Sequence, residues 1–237
     1  LGTGDLRVIY ANGDGATGTV TADSSLAVDG ASAVMDAFDG GVITNNGVIN
    51  AWRSSGSSPT TTVMRASYGE AINNGVINSG LFIEKDGTNQ NVSNAGSAGM
   101  VGLTNATLSN QGYINVAITD NASHTAWGMV VADNGTLTNA GTITLTGNSR
   151  NPDGRAGGYA IYSDSTGPVT NTGNLFIGGT PITSAGTPDP VKLVGSGALS
   201  AGMYTTGKGA MTNDSGGTIT LLSATRNAAG MLVEGGS

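Results

Sequence analysis

The chain has 237 residues, a formal net charge of −7, one histidine and no cysteine. This charge argues against a nucleic-acid partner, because such binding depends on Lys and Arg neutralising phosphates. The missing cysteines exclude disulfides and Cys-based metal or redox chemistry. Only 38% of the residues are hydrophobic and 40 are glycine, so the composition favours thin β structure over a helical core.

The first thirty residues lack the pattern that organises the rest of the chain. The segments LRVIYANG and GTVTADSSLAVDG predict two or three strands, so we expect residues 1–30 to form a divergent N-terminal unit or cap. The remainder, residues 31–237, is then one repeated structure within a single domain. Acidic residues are dense at this end of the chain, and we interpret Asp36 and Asp39 as solvated acids beside a turn.

From residue 31 onwards, one unit repeats along the chain. A methionine is followed about ten residues later by an asparagine that begins the pattern Asn-x-Gly-x-Ile, as in NAGTI at 139–143. The units begin at Met35, Met64, Met100, Met129, Ile161, Met203 and Met231, at intervals of 29, 36, 29, 32, 42 and 28 residues. The last unit has no asparagine before residue 237, so we expect the stack to be cut within a repeat.

Apolar residues alternate within each unit, which is the period of a strand. Each unit contains three such clusters, separated by Gly, Asn and Asp turns. Stacked units of this kind predict an all-β fold, a right-handed parallel β-helix with about three strands per rung and seven to eight rungs. At about 4.8 Å per strand the rod is roughly 35–40 Å long. The sequence has no apolar run long enough for a membrane span.

The repeated methionines and asparagines have structural explanations. Methionine adapts to a narrow, irregular core, so we predict that the repeated methionines stack in a column inside the rod. Stacked asparagine amides can form hydrogen bonds along the rod, and Asn and Gly tolerate left-handed backbone geometry. We therefore predict a structural ladder of Asn45, Asn73, Asn110, Asn139, Asn171 and Asn213.

Residues with catalytic or metal-binding chemistry are sparse. His124 is the one histidine and lies in the loop TDNASHTAW, without the clustered ligands that a zinc site needs. A polysaccharide-cleaving enzyme needs paired acids or an Arg–carboxylate constellation on one face, and the sequence pattern does not reveal one. We therefore expect no enzyme activity, no catalytic residues, no metal site and no cofactor.

The repeat resembles a known family. The pattern x-Gly-Met/Ile-x-Val followed by Leu-x-Asn-x-Gly-x-Ile-x-Leu, over residues 31–235, is similar to the secreted passenger region of Gram-negative type V autotransporter adhesins of the AIDA and UpaB type. The resemblance implies secretion to the bacterial surface, on the extracellular side of the outer membrane. It also implies binding of glycosaminoglycans, matrix proteins or another copy of the protein. No individual binding residue carries over, because binding residues lie outside the shared motif.

Candidate glycan contacts lie on turn insertions and on one outward column. Four turn insertions interrupt the repeat, at residues 52–62, 81–98, 146–157 and 178–197. Their basic residues could form a strip that binds a sulfated polysaccharide, and they are Arg53, Arg150, Arg155 and Lys192. A polar column containing Asn50, Asn78 and Asn115 could hydrogen-bond sugar hydroxyls, although such columns are also ordinary sheet surface.

A second outward column follows each methionine by one residue. Its candidate protein-contact strip consists of Val101, Val130, Tyr162 and Tyr204, since a contiguous exposed apolar strip marks an interaction surface. The alternative is that an inserted loop covers it.

These features favour a secreted adhesin that binds a glycosaminoglycan or an extracellular-matrix protein. The alternatives are self-association between bacterial cells, as in aggregation or biofilm, and a polysaccharide-degrading β-helix enzyme. The basic loops favour a glycan, whereas the apolar column favours a protein partner, either matrix or self.

Overall fold

Three parallel sheets surround one elongated apolar core in the computed structural model of the chain. The structure describes residues 7–53, 61–83, 89–91, 97–118, 125–146, 157–190, 199–222 and 228–234, and the structural statements below concern these residues. Apart from one inserted hairpin, every third strand joins the same sheet, next to its equivalent from the preceding rung. The predicted all-β parallel β-helix is therefore confirmed.

Sheet A contains the first strand of every rung. Its eight strands are β1 (Arg7–Asn12), β4 (Ala33–Phe38), β7 (Thr61–Ser67), β12 (Ser97–Gly102), β15 (Ala126–Asp133), β18 (Gly158–Ser165), β21 (Ser200–Thr205) and β24 (Ala228–Val233).

Sheets B and C contain the second and third strands of the rungs. Sheet B consists of β2 (Thr17–Val20), β5 (Val42–Asn45), β8 (Glu70–Asn73), β13 (Thr107–Asn110), β16 (Thr136–Asn139), β19 (Val169–Asn171) and β22 (Met211–Asn213). Sheet C consists of β3 (Ser25–Asp29), β6 (Val48–Trp52), β9 (Val76–Ser79), β14 (Tyr113–Ala117), β17 (Thr142–Thr146), β20 (Asn174–Ile177) and β23 (Thr218–Leu221). The described residues thus form seven three-stranded rungs, and β24 begins an eighth.

The methionine column is a column of core side chains. Met129 aligns with Met100 on one side and with Ile161 on the other, as the spacing predicts. The column is fully buried from Met35 to Met203. Each such side chain removed from water contributes about 1.5–3 kcal/mol, so the apolar column is a main source of rod stability.

The repeated asparagines form a continuous ladder inside the rod. Each Nδ2 donates to the Oδ1 of the next rung's asparagine, at 2.8 Å from Asn45 to Asn73 and 2.6 Å from Asn139 to Asn171. The ladder continues through Asn110 and ends at Asn213. The predicted hydrogen-bonded ladder is therefore confirmed.

The glycine of the Asn-x-Gly pattern has a different role from the one expected. Neither this glycine nor its asparagine adopts a positive φ in the described rungs, so the left-handed explanation is wrong. Instead, a Cβ on Gly141 would overlap the carbonyl oxygen of Gly112 one rung earlier, and Gly112 has the same relation to Gly75. Close stacking of backbone on backbone is what requires glycine here.

Two insertions leave the rod from sheet C. One forms the antiparallel hairpin β10 (Leu81–Ile83) and β11 (Asn89–Asn91), and β10 contacts β6. The other, residues 178–190, is here named the strap; it closes on itself through the Thr180 N–H, which donates to the Asp189 carbonyl at 2.9 Å. Within the described ranges, the chain contains no helix that is long and apolar enough to cross a bilayer.

Candidate binding face on sheet A

The outer face of sheet C is covered, which corrects one predicted site. Asn50, Asn78 and Asn115 have exposed fractions of 3%, 1% and 0%. Their amides bond to one another at 2.8 Å, and both polar atoms of the Asn115 amide bond to the Ile182 backbone of the strap. The prediction that these asparagines offer amides to a sugar is wrong, because a ladder and the strap already use them.

The predicted basic strip is only partly described. Arg53 is partly buried, and its Nη2 donates to the Gly30 carbonyl at 3.1 Å. It therefore lies against the rod instead of extending from an insertion. Arg150, Arg155, Lys192 and His124 lie outside the described residues, so a strip formed by the three cations stays a prediction.

The predicted protein-contact strip lies on the outer face of sheet A. Val101 aligns with Val130, Val130 with Tyr162, and Tyr162 with Tyr204, in adjacent strands. All four side chains are partly exposed. The structure thus brings them into one column, while their role in contact stays a prediction.

A further tyrosine joins this column from the same strand. Ala160 and Ile161 are both buried, and this pair places Tyr159 and Tyr162 on one outer face. The Tyr159 and Tyr204 rings stack with centroids 4.7 Å apart, and Tyr162 and Tyr204 with centroids 5.4 Å apart. Sequence reasoning missed Tyr159 because it followed only the position after each methionine. Two consecutive apolar residues between the tyrosines were the available signal.

Acidic groups border this tyrosine cluster. The Tyr204 hydroxyl donates to Glu234 Oε2 at 2.7 Å, and this hydrogen bond raises the pKa of Tyr204 to about 12. Burial, and then the negative charge of Glu234, raise the pKa of Tyr159. Asp164 accepts from Lys208 and Thr206, and these hydrogen bonds hold the pKa of Asp164 below its usual value.

The opposite end of sheet A carries two arginines on one carboxylate. Arg65 donates to both carboxylate oxygens of Asp36, at 3.1 and 2.7 Å, and Arg7 Nε lies 3.0 Å from Oδ2. The exposed fraction of Asp36 is only 3%. The interpretation of Asp36 as a solvated acid is therefore wrong, since the arginines of neighbouring rungs enclose it. An Arg–carboxylate constellation therefore exists. Asp36 and Arg65 each follow a methionine of the repeat and align in adjacent strands, so spacing offered a signal for this pair, whereas it offered none for Arg7.

A pocket of about 280 Å³ lies at this cluster. Beside the Arg7–Asp36–Arg65 cluster its lining includes Tyr10 and Phe38, with exposed fractions of 48% and 43%. The ring of Tyr68 packs edge-on against Phe38, with centroids 6.4 Å apart. Exposed aromatic side chains that surround an arginine-containing cluster are typical of a binding hot spot. In the described part of the chain, no group of His, Cys, Asp and Glu residues could hold a metal ion.

The fold defines the chain as a parallel β-helix, and the charged pocket and the tyrosine cluster both lie on the outer face of sheet A. Residues 8–174 match the family model of the BigA third pectate lyase-like domain, and the chain belongs to this family. No curated protein and no solved structure matches the chain significantly.

Proposed function

We propose that this β-helix is a non-enzymatic adhesive module of the cell surface that binds acidic polysaccharide through the outer face of sheet A. The observation that carries the proposal is the Arg7–Asp36–Arg65 cluster in a pocket with aromatic walls. This keeps the glycan ligand expected from the sequence. It moves the site from the turn insertions to the sheet face.

The pocket has the chemistry that an acidic sugar requires. Guanidinium groups match carboxylate and sulfate oxygens in charge and in planar geometry. Asp36 fixes the orientation of Arg65 through two hydrogen bonds, so the cation is positioned before the ligand arrives. The exposed rings of Tyr10 and Phe38 offer apolar surface to the C–H face of a sugar ring. At about 280 Å³, the pocket suits one sugar residue of a longer chain.

Binding without cleavage is the favoured mode. Glycoside hydrolysis uses a pair of carboxyl groups on either side of the scissile bond. The lining of this pocket includes one, and that one is engaged by two arginines. The pectate lyase-like description of the family supports a polysaccharide ligand and leaves turnover to be tested.

The surface location is part of the proposal. The repeat resembles autotransporter passengers, and a chain without cysteine suits export in an unfolded state. We propose that the domain is displayed on the extracellular side of the outer membrane. Immunolabelling of intact cells that express the full-length protein tests this, and labelling only after permeabilisation would contradict it.

Heparin and polygalacturonate binding by calorimetry, with neutral dextran as comparison, tests the ligand class. Arg65→Gln should weaken binding about tenfold or more, because a charge-assisted hydrogen bond contributes about 1.5–3 kcal/mol. It should also flatten the salt dependence. Lys208→Gln is the matched control, since it removes a cation from the far end of the same face.

Tyr10→Ala is a second test variant, which keeps all three charged groups and removes an aromatic wall together with the contact of Arg7 with the Tyr10 ring, 4.9 Å from the ring centroid. Unchanged affinity in both Arg65→Gln and Tyr10→Ala would reject the pocket as the site. Release of reducing ends or unsaturated products from either polymer would instead establish the enzyme alternative.

A further inference from the structure

We propose that Tyr159 and Tyr204 form a site of oxidative cross-linking, where a haem peroxidase with hydrogen peroxide joins the two side chains as dityrosine. The tyrosines lie on β18 and β21, which are adjacent strands of sheet A. Their rings stack with centroids 4.7 Å apart and an interplanar angle of 14°. The structure describes all six tyrosines of the chain, and among these their rings stack on one another only in the cluster of Tyr159, Tyr162 and Tyr204.

The geometry of the cluster favours coupling within one chain. Dityrosine forms when a bond joins one ortho carbon of each ring, and centroids 4.7 Å apart are already close to the separation of two directly bonded rings. Both rings lie partly exposed on the outer face, so they have room to slide into position and a small oxidant can reach them. Groups that are held side by side react far faster than groups that must meet by diffusion. Tyr162 lies further from Tyr204, at 5.4 Å and 21°, so Tyr159 is the preferred partner.

Glu234 supplies a proton acceptor for the oxidation of Tyr204. The phenol donates to Oε2 at 2.7 Å, which is within the reach of direct proton transfer. Because this hydrogen bond raises the pKa of Tyr204 to about 12, the phenol stays protonated near neutral pH. Loss of an electron is therefore coupled to loss of the proton, and a carboxylate that already holds this hydrogen bond makes the oxidation easier.

Atoms and electrons balance with peroxide as the oxidant. Each tyrosine gives up one electron and its phenol proton, which leaves two phenoxyl radicals. A carbon–carbon bond forms between their ortho carbons, the C–H bond at each of these carbons breaks, and the hydrogen moves to the phenol oxygen. The two electrons and two protons reduce one hydrogen peroxide to two waters, so the chain loses two hydrogen atoms.

The cross-link has a structural consequence for the rod. It holds β18 to β21 across the longest interval of the repeat, the 42 residues from Ile161 to Met203, to which the strap belongs. A covalent link between positions far apart in sequence restricts the unfolded chain and so stabilises the folded one. The linked rod should therefore unfold at a higher urea concentration than the unlinked rod.

Treatment of the chain with peroxidase and hydrogen peroxide, in halide-free buffer, tests the proposal. Dityrosine fluorescence follows the reaction, and tryptic peptides identify the link. Cleavage by trypsin places Tyr159 in the peptide 156–192 and Tyr204 in the peptide 193–208. We expect these two peptides to be joined, with a mass two hydrogen atoms below their sum, in a chain that remains monomeric on a denaturing gel.

Conservative substitutions separate the roles of the cluster residues. Tyr159→Phe and Tyr204→Phe keep the ring and its packing, and each should lower the yield of the intrachain link at least about tenfold. Tyr162→Phe is the matched control and should leave the yield close to that of the unchanged chain. Glu234→Gln removes the proton acceptor and should slow formation of the link several-fold, whereas Glu234→Asp should restore most of the rate.

Two outcomes would overturn the proposal. One is the absence of the joined peptides under conditions that oxidise the exposed Tyr10 and Tyr68. The other is an equal yield of the joined peptides in Tyr159→Phe and Tyr162→Phe. None of the cluster tyrosines lines the proposed polysaccharide pocket, so heparin binding by Tyr159→Phe tests that proposal separately.

Discussion

The side chain of Asn115 pairs with the backbone of Ile182 as a neighbouring strand would. The Ile182 N–H donates to Asn115 Oδ1 at 2.9 Å, and Asn115 Nδ2 donates to the Ile182 carbonyl at 2.9 Å. One amide thus fixes the strap to the outer face of sheet C. This contact closes a surface that the sequence presents as an open polar column, and it leaves sheet A as the better candidate for recognition.

The first prediction concerns this contact. In Asn115→Asp the carboxylate can still accept from Ile182, but it cannot donate to the Ile182 carbonyl or to Asn78 Oδ1. The strap should therefore open more often, and amide hydrogen exchange at Ile182 should become faster while the core strands stay protected. Thr138→Asp, an exposed position of sheet B, is the control. Equal protection of Ile182 in all three proteins would show that the amide does not hold the strap.

The second prediction concerns the interior ladder. The Asn139 amide accepts from Asn110 at 2.7 Å and donates to Asn171 at 2.6 Å, and it is fully buried. Asn139→Ala removes the donor to Asn171 Oδ1 and leaves Asn110 Nδ2 with only its long contact to the Gly112 carbonyl, so the free energy of unfolding should fall by about 1–3 kcal/mol. Asn74→Ala removes one amide from the exposed Asn74–Asn46 pair and should change it by less than about 0.5 kcal/mol. Equal losses in urea unfolding would contradict a special role for burial.

The third prediction concerns a buried hydroxyl on the covered face. Thr144 is fully buried, and within the described residues its Oγ1 has no hydrogen-bond partner. Valine has nearly the same shape without the hydroxyl. Thr144→Val should therefore raise the free energy of unfolding by about 1 kcal/mol, since a buried unsatisfied polar group costs about 1–3 kcal/mol. Thr138→Val, at an exposed position, should raise it less. Destabilisation by Thr144→Val would mean that the hydroxyl has a partner.

The fourth prediction concerns alkaline pH. The hydrogen bond to Glu234 raises the pKa of Tyr204 from its usual 10.0 to about 12. Because the folded pKa is the higher one, this contact stabilises the fold below pH 10 and loses its effect as pH rises towards 12. Glu234→Ala should move the late phase of the tyrosinate absorbance titration to lower pH. Glu70→Ala, on sheet B, is the control, and an unchanged late phase in Glu234→Ala would rule out the assignment.

The sequence was a good guide wherever one rung repeats the next. Met100, Met129 and Ile161 align in the structure because parallel strands in register place equivalent residues of successive rungs side by side. The same logic located the Val101–Tyr204 column. The repeat led to the wrong explanation for Gly141. A recurring glycine shows that the position excludes larger residues, but it does not show whether a positive φ or close stacking of two backbones is the cause.

Strict two-residue alternation and the neighbours in sequence are misleading at two positions of sheet A. Tyr159 joins the tyrosine cluster only because Ala160 and Ile161 both turn inward, which breaks simple alternation. Asp36 is equally instructive. Its neighbours in sequence predict a solvated acid, whereas its neighbours in space are arginines from the rungs before and after it.

The sequence by itself determined the β-helix, the register of its strands and the identity of its core ladders, because these follow from a periodic pattern and nearest-neighbour stacking. Only the tertiary structure decided which outward column stays open. That outcome depends on where the strap and the hairpin fold back. It also depends on how long side chains such as Arg7 and Arg65 converge across rungs. The contacts of the strap and of Arg7 join positions that are not equivalent in the repeat, so spacing does not encode them, whereas Asp36 and Arg65 are equivalent positions of adjacent rungs.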